Sequence, residues 1–309
     1  MPPDERFLTG VLYPYGNYRP GAELMNVMTG VQPYLDGKAK RMLIDGKWLE
    51  AASGKTFETR NPATGEVLAN VAEGDAEDIE RAVAAARAAF NGPWSKFKPA
   101  ERQRLLLQLA DLVEHDIEEF AVLDTLDMGA SISRTRNNRQ RALGMLRFYA
   151  GVATALHGET IDNSLPGEYV SFTLKEPVGV VGAIIPRNGP LTASIWKIGP
   201  ALATGCTVVL KPAEDAPLTP LRLAELCLEA GVPPGVVNVV PGYGETAGAR
   251  TWRPQDATSA RLGAPYAAAG VTVLFRVDII ASFATPRSSS SFGITAETQS
   301  ATATSAAFK

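Results

Sequence analysis

The chain has 309 residues, a hydrophobic fraction of 45% and a net charge of −3. That length holds one large α/β domain or two smaller ones around an ample core, and the near-neutral balance gives no electrostatic ground for nucleic acid or an anionic membrane as partner. Two cysteines, Cys206 and Cys227, make no disulfide framework, and without clustered histidines they make no metal site. The longest apolar runs are strand-length and Met1-Pro-Pro-Asp-Glu-Arg lacks the charged-then-apolar pattern of a secretion signal, so a cytoplasmic protein is expected.

Residues 1–41 are rich in Pro, Gly and Tyr, show no sustained period and read as an irregular extension; Met42 is an alternative initiator to Met1. A helix is predicted from Asp75, a capping residue, with Ile79, Val83, Ala86 and Phe90 at helical spacing and Asn91-Gly92-Pro93 as its stop. Pro99 opens a second helical region that carries Leu105, Leu106, Leu109, Leu112 and Val113 and ends near Gly129. A third spans much of 133–155. The basic run Arg134, Arg136, Arg139 and Arg141 falls within it and reads as a solvated face without function, and His115 and His157 read as ordinary helix or helix-end residues. Residues 161–174 then read as loop and strand.

Three β-branched apolar runs follow: Val178-Gly-Val-Val-Gly-Ala-Ile-Ile185, Thr207-Val-Val-Leu-Lys-Pro212 and Val236-Val-Asn-Val-Val240. Helical segments separate them, the pattern of strands buried on both faces, so the fold class is α/β with a partial doubly wound parallel sheet. Ligands of open α/β sheets sit at the carboxyl ends of the strands, which points to Pro186-Arg-Asn-Gly-Pro190, Lys211-Pro-Ala-Glu214 and Gly242-Tyr-Gly-Glu-Thr-Ala-Gly248. Read alone, Asn188 before Gly189-Pro190 is a favoured helix cap, Lys211 a solvated strand end and Glu214 an acid in a first helical turn. The glycine-rich loop follows the third strand rather than the first, so it is not the usual dinucleotide fingerprint.

In order and spacing these elements resemble the aldehyde dehydrogenase superfamily, with Leu43-Ile-Asp-Gly-Lys-Trp48 and Asn61-Pro-Ala-Thr-Gly65 similar to its opening hairpins, over residues 42–249. The resemblance implies an NAD(P)-dependent oxidation of an aldehyde to a carboxylic acid, by thiolate attack, hydride transfer and thioester hydrolysis. It implies Asn188 as the oxyanion donor, Ile184, Ile185, Pro186 and Arg187 along the cofactor channel, and Lys211, Ala213 and Glu214 at the adenosine ribose. Gly244, Gly248 and Ala249 would form the wall near adenine and ribose. Arg187 departs from the pattern, which usually has Trp there. Glu214 favours NAD over NADP, because a 2′-phosphate would meet a like charge.

Beyond Ala249 the expected Phe-Thr-Gly-Ser turn, general-base Glu and nucleophilic Cys are not found, and Ala, Ser and Thr make up about half of residues 250–309. A frameshift near codon 250 is one expectation and a natural low-complexity tail the other; within it Val271-Thr-Val-Leu-Phe-Arg-Val-Asp-Ile-Ile280 has strand character. Cys206 and Cys227 read as core residues, so covalent chemistry has no agent. The chain is therefore expected to be a truncated, inactive member. Its aldehyde substrate would be met only if the full frame were restored, and the family's homo-oligomer is not expected of it. A non-catalytic NAD or adenine-nucleotide module, or an unstable fragment, is the alternative.

Overall fold

The computed structural model describes residues 34–162, 164, 169–252, 275–283 and 300–301. Residues 1–33 of the expected extension, and the tail apart from 250–252, 275–283 and 300–301, lie outside the described residues. The described body takes in Tyr34, which is buried and donates its hydroxyl to the Leu218 carbonyl at 3.2 Å.

Strands β1 (Met42–Ile44) and β2 (Lys47–Leu49) form the first hairpin, and β3 (Thr56–Arg60) pairs with β4 (Val67–Ala72) as the second. Helix α1 (Ala76–Asn91) begins where the sequence places it: the Asp75 carboxylate accepts the Glu77 N–H and the Asp78 carboxylate returns a bond to the Asp75 N–H. The expected second helical region is two helices, α2 (Pro99–His115) and α3 (Ile117–Met128), the latter ended by Gly129 in the left-handed region. The break falls at Asp116, whose carboxylate meets the Arg222 guanidinium at 2.7 Å. Helix α4 (Ile132–Ala155) follows, then β5 (Thr160–Ile161) and β6 (Tyr169–Pro177).

The parallel-strand unit comprises β7 (Val180–Ile184), α5 (Pro190–Thr204), β8 (Thr207–Lys211), α6 (Leu218–Glu229) and β9 (Val237–Val239), closed by the short α7 (Ala249–Trp252). Strands β7, β8 and β9 are parallel, and the sheet order is β2-β1-β9-β8-β7. The edge of β9 is therefore not bare. Strand β1 pairs there antiparallel, Leu43 against Val239, so β7 and the β2 hairpin arm form the edges of this sheet.

Alternating strand residues enter different apolar clusters, as a pleated sheet covered on both faces requires. Val181, Ala183, Val208 and Leu210 join α2, α5 and α6 through Leu106, Leu109, Ile195, Ile198 and Leu221. Val180 and Val209 instead join α1 through Ile79, Ala82 and Ala86. Trp94, fully buried after α1, donates its indole N–H to the Cys206 carbonyl at 3.1 Å and fixes the start of β8.

A second sheet has the order β11-β10-β6-β5, with β10 (Phe275–Phe283) antiparallel to β6, Phe275 opposite Pro177, and β11 (Ser300–Ala301) beside it. Strand β10 overlaps the run that reads as a strand from sequence, displaced toward its carboxyl end.

Candidate functional site

The parallel register brings three loops to one end of the sheet. Ile184 lies opposite Lys211, the Ile185 N–H donates to the Lys211 carbonyl at 3.1 Å, and the Val240 N–H donates to the Leu210 carbonyl at 2.9 Å. The chain order of the parallel strands is 3-2-1, which places the switch point of a doubly wound sheet at the β7 edge.

Lys211 and Glu214 are the centre of this end. The Lys211 ammonium meets the Glu214 carboxylate at 2.8 Å, with the lysine side chain 3% and the glutamate 35% exposed. Burial raises the Glu214 carboxyl, but bonds from Lys211 and from the backbone N–H of Gly244 outweigh it and hold the group below its ordinary value. These three residues therefore join the second and third loops. Lys211 is not a solvated strand end, and Glu214 lies in a turn four residues before α6 begins at Leu218, not in its first turn. Ala213, beside it, is half-buried.

On the first loop Ile185 is buried, whereas Ile184, Pro186, Arg187 and Asn188 are exposed. Arg187 approaches Asp215 at 3.9 Å with both side chains 65% exposed, an ion pair of little energetic weight. Gly189, without a side-chain bond, is the cap of α5, so Asn188 is not held as a helix cap. The Asn188 carbonyl accepts from the Arg134 guanidinium at 3.3 Å, while Arg136 and Arg139 of the same helix pair with Glu118 at 2.9 Å and Glu114 at 3.5 Å. The basic run thus ties helices together, and its first member touches the first loop.

The third loop turns through a π-helical turn, Gly244–Gly248, into α7. Gly244 and Ala249 are exposed, whereas Gly248 is buried and donates its N–H to the Tyr243 carbonyl at 3.1 Å. Gly242 permits the tight approach of this loop to the chain before α1, because a Cβ there would lie 2.3 Å from the Gly74 carbonyl oxygen.

Two buried charged residues beside this end of the sheet escape a reading of the sequence. Asp124 and Asp127 stand one turn apart on α3 and are almost wholly buried. Asp124 accepts the Thr219 hydroxyl at 2.6 Å and the Leu191 N–H; Asp127 accepts the Thr59 hydroxyl at 2.5 Å and the Leu218 N–H at 2.9 Å. Burial pushes both carboxyls up to about 7 against those hydrogen bonds. The available signal was their spacing on the face shared with Phe120 and Leu123.

Both thiols are buried. Burial raises Cys206 and pushes Cys227 up to about 12, the opposite of an activated nucleophile. Among the described residues no group of three or more His, Cys, Asp and Glu stands ready to hold a metal, and no helix is long and apolar enough to cross a membrane.

Comparison with known proteins agrees with this arrangement. The profile of the aldehyde dehydrogenase family matches residues 48–258. Aldehyde dehydrogenase family 2 member B4, mitochondrial, of Arabidopsis thaliana is 49% identical over 242 residues, 78% of this chain and 44% of that protein. The mitochondrial aldehyde dehydrogenase of Homo sapiens is 52% identical over 212 residues, 68% of this chain and 41% of that protein. The chain superposes with a TM-score of 0.71 on the NAD+ complex of an aldehyde dehydrogenase from Bacillus cereus, 49% identical, covering 74% of this chain and 46% of that one. The chain thus spans less than half the length of these three relatives. With the strand order, the three loops and more than two hundred matched residues in agreement, the chain belongs to the aldehyde dehydrogenase family.

Proposed function

We propose that this chain is a cofactor-holding portion of an aldehyde dehydrogenase and that it binds NAD with the adenosine ribose at Lys211 and Glu214. The observation that carries this reading is the buried Lys211 ammonium at the end of β8, paired at 2.8 Å with a carboxylate that also accepts from Gly244. An ammonium has three donors and a carboxylate only acceptors, so the pair can offer both kinds of partner to vicinal hydroxyls. Ala213, Gly244, Gly248 and Ala249 would wall the adenosine, while Ile184, Ile185, Pro186 and Arg187 would line the path toward the nicotinamide. That a similar solved aldehyde dehydrogenase is an NAD+ complex supports NAD as the ligand.

Bound NAD supplies a hydride acceptor. Asn188, exposed at the tip of the first loop, is in a position to donate its side-chain amide to the oxyanion of an aldehyde adduct. The chain's only two cysteines are buried with raised thiols, so neither supplies the thiolate that such an adduct requires. The reading is therefore of a stretch that holds the cofactor and supplies no thiolate of its own for aldehyde oxidation. Two buried thiols with no disulfide between them fit a reducing compartment, and we place the protein in the cytoplasm.

NAD is favoured over NADP because the depressed Glu214 carboxyl keeps its charge where a 2′-phosphate would arrive. Calorimetric titration should show NAD binding at least about tenfold tighter than NADP, and Glu214→Gln should erase most of that gap. Equal affinities in the unaltered protein would remove Glu214 as the discriminator.

A further inference from the structure

The two buried carboxylates of α3 have no part in binding or chemistry as described above, yet each reaches the first turn of a helix that emerges from a cofactor loop. Asp124 accepts the Leu191 N–H of α5, three residues after Asn188. Asp127 accepts the Leu218 N–H of α6, four residues after Glu214. The first N–H groups of a helix have no partner within it, and the positive end of the helix dipole favours an anion there. Neither helix has a side-chain cap of its own: Gly189 and Pro217 occupy the cap positions without a capping bond. The carboxylates thus replace local caps from a distance, across 91 residues for Asp127 and Leu218.

Apolar residues of similar volume would pack as well on α3 but would leave those N–H groups and the Thr59 and Thr219 hydroxyls without acceptors. A long-range cap also does what a local one does not: it fixes the loop's end relative to a second element. Asp124 ties the start of α5 to α3 and Thr219, and Asp127 ties the start of α6 to α3 and to Thr59 of β3.

We propose that Asp124 and Asp127 are positioning residues of the cofactor site, Asp124 setting the nicotinamide-side loop that carries Asn188 and Asp127 setting the adenosine-side loop that carries Glu214. This inference rests on the reading of the site as an NAD site. It assigns different halves of the ligand to two carboxylates one turn apart, which a general contribution to stability would not do.

The test is titration of the full chain with NAD and with adenosine monophosphate, well below the melting transition. Asp127→Ala should weaken both ligands by about tenfold, the scale of one lost charge-assisted hydrogen bond. Asp124→Ala should weaken NAD by a similar factor and leave the monophosphate unchanged. Asp124→Asn and Asp127→Asn keep volume and one acceptor oxygen and should restore most of the affinity. If an alanine variant does not fold, Thr219→Val and Thr59→Val remove one bond from Asp124 and Asp127 respectively and should give the same split at lower amplitude. Equal weakening of both ligands by both variants, or no recovery with asparagine, overturns the inference while leaving the NAD site in place. An unaltered chain that binds neither ligand overturns the NAD reading itself, and the inference with it.

Discussion

Gly242→Ala should destabilise the protein by about 3 kcal/mol and lower its melting temperature by roughly 6–12 °C. The added Cβ would stand 2.3 Å from the Gly74 carbonyl oxygen and 2.9 Å from the Ala247 Cβ. Neither neighbour is the far end of a flexible side chain. Gly74 is itself bound through its N–H to the Pro241 carbonyl at 2.8 Å, so the clash is relieved only by moving the backbone that leads into 244–248. The same substitution should therefore weaken NAD. Gly244→Ala is the control, because a Cβ there meets nothing within 4 Å; its melting temperature should stay within a few degrees of the unaltered protein. Equal melting of the two variants, followed by scanning calorimetry, would contradict this account of the third loop.

A second large effect concerns pH. The Asp124 and Asp127 carboxyls stand at about 7 in the folded chain against 3.8 in a freely solvated one, because burial penalises their charge. The folded state then holds more protons than the unfolded state between those values, so stability from these groups is complete below about pH 4 and is lost as pH rises through 7. Taken alone, one such carboxyl changes stability by on the order of 4 kcal/mol over that window. Asp124 and Asp215 each add a like charge near Asp127 and make it harder to ionise. Glu114 and Glu214 are shifted the opposite way and oppose the trend, but both are substantially exposed to solvent, which limits their weight. Thermal melts should show the protein less stable near pH 8 than near pH 5, with the slope much reduced in the Asp124→Asn, Asp127→Asn double variant. An unchanged slope in that variant would show that other groups carry the pH dependence.

Much of the fold is legible in the sequence because it is written locally. The runs that become β7, β8 and β9 are strand-length and β-branched, and Asp75, Pro99 and Gly129 mark helix ends by chemistry available within a few residues. Features made by distant contacts are not legible. The break at Asp116 depends on Arg222, 106 residues away, and the pairing of β1 with β9 joins Leu43 to Val239. Strand boundaries shift for a similar reason: Gly179, at φ 117°, turns the chain before β7 can begin.

The candidate site was legible to different depths. Lys211 and Glu214, both singled out from the sequence, are brought together at the end of β8, and their mutual bond explains how a lysine can be buried there. Asn188 has a local reading as a helix cap that the structure replaces with Gly189. Asp124 and Asp127 were missed because an aspartate in a helix ordinarily faces water, and only Leu191, Leu218, Thr59 and Thr219 reveal why these two do not.

The central proposal is that the chain holds NAD at Lys211 and Glu214 and has no cysteine placed to attack an aldehyde. Its most direct test is calorimetric titration of the purified chain with NAD, followed by addition of an aldehyde while nicotinamide absorbance is recorded. The account predicts saturable NAD binding that Lys211→Met abolishes, with no aldehyde-dependent reduction of the cofactor. Absence of binding, or reduction that proceeds with turnover, would contradict it.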